Sequence, residues 1–209
     1  MVKAIILDWS GVVSDDLNVV YGITSKLFSR LGKKFMSLPE FREKFDLPFM
    51  DFYRKMGVGL DKGRLEKMYE EIFYENGIRP KPFPFAGRTL TMLNKRGIKL
   101  AVLSAHPQHF LEKEIADYGF SHHFSYVFGG VHDKRKEIKN VLKKMGTDKN
   151  ETLFVGDMTH DLEAGSGAGI LTAAVLSGYH SREKLASREP NFIMNDLRDL
   201  RFVVDGVFA

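Results

Sequence analysis

The sequence predicts an α/β protein: a doubly wound parallel sheet with an inserted α-helical cap domain. Three observations point there. Apolar runs at Val2–Leu7, Leu100–Leu103, Thr152–Val155 and Leu171–Val175, with Tyr126–Phe128 a weaker one, read as strands buried on both faces. Helical patterns lie between these runs, and that alternation marks a sheet wound with helices. From about Ser14 to Phe83 the alternation stops and only helical spacing remains, which reads as an insertion.

The first run ends abruptly at Asp8-Trp9-Ser10-Gly11, a strand followed by a tight loop. In the insertion, Val20, Ile23, Leu27 and Leu31 recur at helical spacing before Gly32, and Leu65, Met68, Ile72 and Phe73 before Gly77. Pro39 and Pro48 suit helix starts between them. Phe28, Phe35, Phe41, Phe45, Phe49, Phe52 and Phe73 supply the insertion with a small core, with one or two expected to face a substrate cleft. Pro80, Pro82 and Pro84 punctuate the return. The expected division is therefore an α/β core of residues 1–13 and 84–209 and a helical cap of residues 14–83. Beyond the return, Leu90 and Leu93, then Ile115 and Tyr118, then Ile138, Val141, Leu142 and Met145 mark the helices between strands.

At 209 residues, with 44% hydrophobic and 28% charged residues, the chain can bury a core and is not disordered. It has no cysteine, which excludes disulfides, a thiolate nucleophile and Cys-bound metal. The run Ala4–Leu7 is too short for a signal-peptide core, and no apolar stretch reaches the length of a membrane span. A soluble cytoplasmic protein is expected, with monomer and homodimer both open. Thirty-one Lys and Arg against 27 Asp and Glu give +4, a field that suits an anionic small molecule. The basic stretch from Lys134 to Lys144 has no interleaved aromatic platform, so neither nucleic acid nor membrane is an expected partner.

In a doubly wound sheet, ligands sit beyond the carboxyl ends of the strands. Asp8 ends the first run, Ser104 the second, and Gly156-Asp157 the one starting at 152, with Asp161 four residues on. Lys134 and Lys136 precede the helix before that strand. A carboxylate attacking phosphorus needs its charge neutralised, and a hard cation such as Mg2+ on Asp8 and Asp157 does this. Ser104 can hydrogen-bond a phosphoryl oxygen, and a lysine can face the developing charge. Such a set suits phosphoryl transfer from a small phosphorylated compound through an aspartyl-phosphate. Gly165-Ser166-Gly167-Ala168-Gly169 lies too far beyond its strand for a dinucleotide loop and reads as close packing and a turn. The seven histidines show no metal-ligand spacing, although His106 and His160 fall near the expected site.

The order of these segments resembles the haloacid dehalogenase-like hydrolase superfamily over essentially the whole chain. Its first motif matches Ile6-Leu7-Asp8-Trp9-Ser10-Gly11-Val12-Val13, its second Ala101-Val102-Leu103-Ser104, and its third the lysine Lys134, with Lys136 as the alternative. The fourth matches Phe154-Val155-Gly156-Asp157-Met158-Thr159-His160-Asp161 through Gly165, and is highly specific. Pro84–Leu100 and Gly178–Leu185, with the helical insertion, look like the phosphoglycolate phosphatase-like branch. The resemblance implies a Mg2+-dependent phosphatase with Asp8 as nucleophile and metal ligand, and Asp157 as second carboxylate ligand. It implies the Ser10 backbone carbonyl as a third ligand, and Asp161 orienting the metal shell or its waters. Ser104, Ala105 and Lys134 would bind the phosphate.

Ser10 departs from the family, whose phosphatases usually carry there an aspartate that serves as general acid and then base. A serine is a poor proton shuttle, so help of roughly 10²–10⁴-fold is at stake. Another group such as His106 or a cap residue could supply it, the leaving group could need no acid, or the chain could be a weak hydrolase kept for binding or regulation. Asp-Trp-Ser-Gly also resembles the phosphonoacetaldehyde hydrolase branch, which cleaves a C–P bond with a cap lysine; the lysine at the third motif leans away from it.

Overall fold

The computed structural model describes residues 2–206; Met1 and 207–209, which the expected core range includes, lie outside them. The chain forms two compact units, residues 1–15 with 81–209, and residues 16–80. Its elements run β1 (Ala4–Leu7), β2 (Ser14–Asp15), α1 (Leu17–Arg30), α2 (Leu38–Lys44), α3 (Phe49–Lys55), α4 (Lys62–Asn76) and β3 (Lys81–Pro82). They continue as α5 (Ala86–Lys95), β4 (Lys99–Leu103), α6 (Gln108–Asp117), β5 (Tyr126–Phe128), α7 (Lys134–Met145) and β6 (Thr152–Gly156). The last are α8 (Thr159–Ala168), β7 (Leu171–Val175), α9 (Arg182–Ala186), β8 (Phe192–Met194) and α10 (Leu200–Val204).

The larger unit is built on a six-stranded sheet in the order β5-β4-β1-β6-β7-β8. Every neighbouring pair in it is parallel. Side chains alternate between faces along a strand, and here both faces are covered, which is why the strands read as unbroken apolar runs. On one face Ile5, Leu7, Leu100, Val102, Leu153 and Val155 pack with Leu90 and Leu93 of α5, Leu111 and Ile115 of α6, and Leu200 of α10. On the other, Ala4, Ile6, Ala101, Leu103 and Phe154 pack with Ile138, Val141 and Met145 of α7 and Ala164 of α8. Within α8, Gly165 lies where a Cβ would come within 2.6 Å of Thr172 Cγ2, so the glycine lets that helix sit close on the sheet.

The smaller unit holds four helices around an aromatic cluster. Phe28, Phe41, Phe45, Phe52 and Tyr53 are buried. Neighbouring rings pair closely, with centroids 4.8 Å apart for Phe41 and Phe45 and 5.2 Å for Phe45 and Phe52. The Glu40 side chain accepts from the backbone N–H of Ser37, capping α2. Gly77 closes α4 in the left-handed conformation.

Two features depart from the sequence reading. The unit boundaries fall at 15/16 and 80/81 rather than 13/14 and 83/84. The reason is that Ser14 and Asp15 pair antiparallel with Pro82 and Lys81, which ties both crossings into the larger unit. Strand β8 was not expected: three residues at a sheet edge carry too little alternation to stand out. No helix among the described residues is long and apolar enough to cross a membrane.

Ile6 is fully buried at the centre of the sheet, two residues before Asp8. Ile6→Ala is expected to lower stability by about 2–5 kcal/mol, measured by urea unfolding.

Candidate active site

The strand register sets the site. Leu7 lies opposite Val102 of β4 on one side and Val155 of β6 on the other. Asp8, Ser104 and Asp157 therefore leave three adjacent strands at their carboxyl ends, where a doubly wound sheet presents ligand-binding groups.

Asp8, Asp157 and Asp161 converge, each offering a carboxylate oxygen, with these atoms all within 4.8 Å of one another. All three side chains are buried. Lys134, the first residue of α7 and also buried, donates to Asp161 Oδ1 at 2.7 Å and lies 2.9 Å from Asp8 Oδ1. Burial works against its ammonium, but Asp161 and Asp8 outweigh that and raise its pKa, so Lys134 is charged. Asp8 is also shifted, upward from an ordinary aspartate. Burial raises its pKa, the Lys134 charge opposes the rise, and the Asp161 charge adds to it. Lys136 is exposed and faces Asp133 at 3.5 Å, so of the two lysines it is Lys134 that enters the cluster.

Asp157 is held by backbone. Its Oδ2 accepts from the Tyr179 N–H at 2.7 Å, and its carbonyl accepts from the His180 N–H at 3.2 Å. Two glycines let the chain approach this carboxylate. A Cβ on Gly178 would lie 2.0 Å from Asp157 Oδ2, and one on Gly11 2.3 Å from the same atom. The Ser177 hydroxyl donates to the Gly11 carbonyl at 2.8 Å and joins the two segments. Asp161, third residue of α8, accepts from the Met158 N–H through Oδ2 at 3.2 Å, a cap that holds its carboxylate at a helix N-terminus. His160 Nε2 lies 3.1 Å from Asp161 Oδ1. His180 Nδ1 accepts from the Thr159 N–H at 3.0 Å and braces the start of α8.

The loop after Asp8 turns on the Trp9 carbonyl, which accepts from the N–H groups of Val12, Val13 and Ser14 at 3.3, 2.9 and 3.0 Å. Ser10 is half-buried in it and bridges to Ser14. Ser104 is buried, and its hydroxyl accepts from the His106 N–H at 3.2 Å; Ala105 between them is half-buried.

Several participants were not singled out as site residues from the sequence. Tyr179 and Gly178 lie in a stretch noted only for its resemblance, and Glu114 sits on α6 near the site with nothing in its local context to mark it. Gly11 stood in the first motif, but its approach to Asp157 joins residues far apart in the chain.

Three carboxylates and one ammonium leave a formal −2 in a buried site. Uncompensated buried charge is strongly unfavourable, so this donor set fits a hard divalent cation of the Mg2+ type. Asp8, Asp157 and Asp161 all offer hard oxygens, and Asp161 stands within the cluster.

Residues 5–175 match the family model described as haloacid dehalogenase-like hydrolase, and the chain belongs to that family. Its relatives are phosphatases by name. It is 26% identical to the pyrophosphatase PpaX of Oceanobacillus iheyensis, with all of this chain and 99% of that protein aligned. It is 32% identical to the phosphoglycolate phosphatase of Aquifex aeolicus over 69% of this chain and 71% of that one. The match to phosphoglycolate phosphatase 1 of Pseudomonas aeruginosa, at 25% identity, covers 64% of this chain and about half, 51%, of that protein. Among solved structures, a haloacid dehalogenase-like hydrolase from Streptococcus pneumoniae superposes with a TM-score of 0.83 at 17% identity, covering 97% of this chain and 98% of that one. A hydrolase from Pseudomonas syringae gives 0.81 at 15% identity, covering 99% and 100%. These two show the shared fold.

Because a Cβ at residue 178 would overlap Asp157, Gly178→Ala is expected to displace that carboxylate. The cost should be about 1–3 kcal/mol in urea unfolding. A rise in Tm with Mg2+ is expected of the parent protein and should be lost in this variant.

Proposed function

We propose that the chain is a Mg2+-dependent phosphatase of small phosphorylated metabolites, working through an aspartyl-phosphate on Asp8. The observation that carries the reading is the buried cluster of three carboxylates around a single ammonium. Relatives named phosphoglycolate phosphatase and pyrophosphatase support a small phosphorylated substrate.

Asp8, Asp157 and the Ser10 carbonyl would hold Mg2+, with Asp161 holding its surroundings in place. When bound, the ion neutralises the phosphoryl oxygens and lets an anionic nucleophile approach them. Asp8 attacks phosphorus in line with the leaving oxygen, and the P–O bond to the leaving group breaks. Lys134 holds a positive charge against the phosphoryl oxygens and keeps Asp8 oriented. Ser104 donates its hydroxyl to a phosphoryl oxygen, and the Ala105 N–H adds a donor. Water then displaces Asp8 from phosphorus. Residues 16–80, following the first motif directly, would serve as the cap.

Loss of the carboxylate in Asp8→Asn should abolish phosphate release from a generic aryl phosphate, and a chelator should do the same. Retained release in the variant would reject the nucleophile. A phosphate-release screen over phosphorylated metabolites, with and without Mg2+, tests the substrate class.

Ser10 favours a second reading, a phospho-ligand-binding or regulatory protein with weak turnover, because its hydroxyl shuttles protons poorly near neutral pH. That reading expects Mg2+-dependent ligand binding with negligible release across the screen. The two part further at Ser10→Asp. The phosphatase reading expects this variant to raise turnover of alkyl phosphates, whose leaving groups need a proton, by about 10²-fold or more. Aryl phosphates, with better leaving groups, should gain less in the same steady-state assay.

A further inference from the structure

Next to the loop that carries Ser10 lies a polar cluster with no part in the reaction described so far. Glu114 of α6 is its centre. Its Oε1 accepts from the Ser14 hydroxyl at 2.5 Å and from the Tyr118 hydroxyl at 2.5 Å. Ser14 and Tyr118 are themselves 2.9 Å apart, hydroxyl to hydroxyl. Glu114 Oε2 faces His106 Nε2 at 3.6 Å. The cluster is fastened to the nucleophile's own segment twice. Ser14 bridges to Ser10, and Trp9, the residue after Asp8, stacks on the Tyr118 ring with centroids 5.7 Å apart.

His106 is placed as firmly. Its N–H donates to the Ser104 hydroxyl, and its carbonyl accepts from the Gly130 N–H at 2.7 Å. It thus stands two residues beyond the end of β4, the strand beside β1. About one third of its side chain is exposed, 33%, so water reaches the ring.

We infer that His106, oriented by Glu114, is the general base that Ser10 does not provide: it takes the proton from the water that hydrolyses the aspartyl-phosphate. This rests on the phosphatase reading above. In that step the water oxygen bonds to phosphorus and the bond from phosphorus to the Asp8 oxygen breaks. One water proton passes to the neutral imidazole, inorganic phosphate leaves, and Asp8 returns to a carboxylate. The imidazolium then loses its proton to solvent through its exposed side.

The charge around His106 suits a base. Burial lowers its pKa from the ordinary histidine value; the carboxylates of Glu114 and Asp8 oppose that and His109 adds to it, with the net shift downward. The ring is therefore neutral near pH 7 and ready to accept a proton. Glu114 holds it in place and stabilises the imidazolium once formed, as a carboxylate does behind a catalytic histidine. Those three groups are the titratable neighbours that act on it; the remaining ring beside it, Phe110 at 6.3 Å, carries no charge.

The test uses p-nitrophenyl phosphate with Mg2+, whose leaving group needs no acid, so the water step can be isolated. In His106→Ala, a burst of about one equivalent of p-nitrophenolate is expected. A steady-state rate about 10²-fold below the parent should follow. Acid quench and mass spectrometry should find phosphate accumulated on Asp8, and added imidazole should restore turnover. The parent should lose kcat as pH falls through the His106 pKa, and the variant should lack that limb. Glu114→Gln removes a charge that raises the His106 pKa, so its limb should move to lower pH.

An unchanged rate and acidic limb in His106→Ala would overturn the assignment. So would a fall in rate with neither phosphoenzyme accumulation nor rescue by imidazole, the pattern of a structural role. If Asp8→Asn turns over like the parent in the same assay, the phosphatase reading itself fails and the base falls with it; if Asp8→Asn is dead and His106→Ala is normal, only the base is wrong.

Discussion

Negative charge concentrated at the carboxyl end of the sheet governs this molecule. Three buried carboxylates face one buried ammonium, and the imbalance is intrinsic to where the strands end. Folding alone gains nothing from crowding Asp8 and Asp161 together, since the Asp161 charge makes Asp8 harder to ionise. Lys134 offsets part of that repulsion and the remainder calls for a cation. Much of the surrounding chain serves to hold this arrangement: the N-terminus of α8 caps Asp161, the Tyr179 amide takes Asp157, and two backbone segments close on that carboxylate with no room for a side chain. The stability of the core, supplied by apolar packing on both faces of the sheet, is what sustains an unfavourable electrostatic assembly at its edge.

The loop after Asp8 differs in kind from the carboxylate cluster. Around Asp157 and Asp161 the positions are set by backbone amides and close chain approach. Around Trp9, Ser14, Tyr118 and Glu114 they are set by side-chain hydroxyls and ring stacking between a loop and α6. The first kind leaves little latitude for substitution. The second can be rewired by changing single side chains, which is where proton-transfer roles can relocate when a motif position such as Ser10 changes its chemistry.

How much was legible in the sequence follows from the range of the forces involved. Strands β1, β4, β6 and β7 are buried on both faces and announce themselves as apolar runs. Strand β8, three residues at an edge, does not. Asp8, Ser104, Lys134, Asp157 and Asp161 could be proposed because each stands at a strand end or helix start with a characteristic local pattern. The partners of those residues could not. Tyr179 meets Asp157 through its backbone N–H, which has no side-chain signature, and the glycines at 11 and 178 matter only because two distant segments meet over one carboxylate. Glu114 is likewise ordinary on its helix; only folding brings it to Ser14, a hundred residues away. The compact units divide two or three residues from the junctions expected for the helical insertion, because a two-residue ladder is too short to show periodicity.

That ladder has an architectural consequence. Since Asp15 is paired with Lys81, the stem from which residues 16–80 depart and the stem to which they return are already held together by the larger unit. The entropy of joining those ends is therefore settled outside the helices, and an insertion of another length or sequence would face the same fixed anchorage. A graft at this stem could exchange residues 16–80 while leaving the register of β1, and with it the position of Asp8, undisturbed.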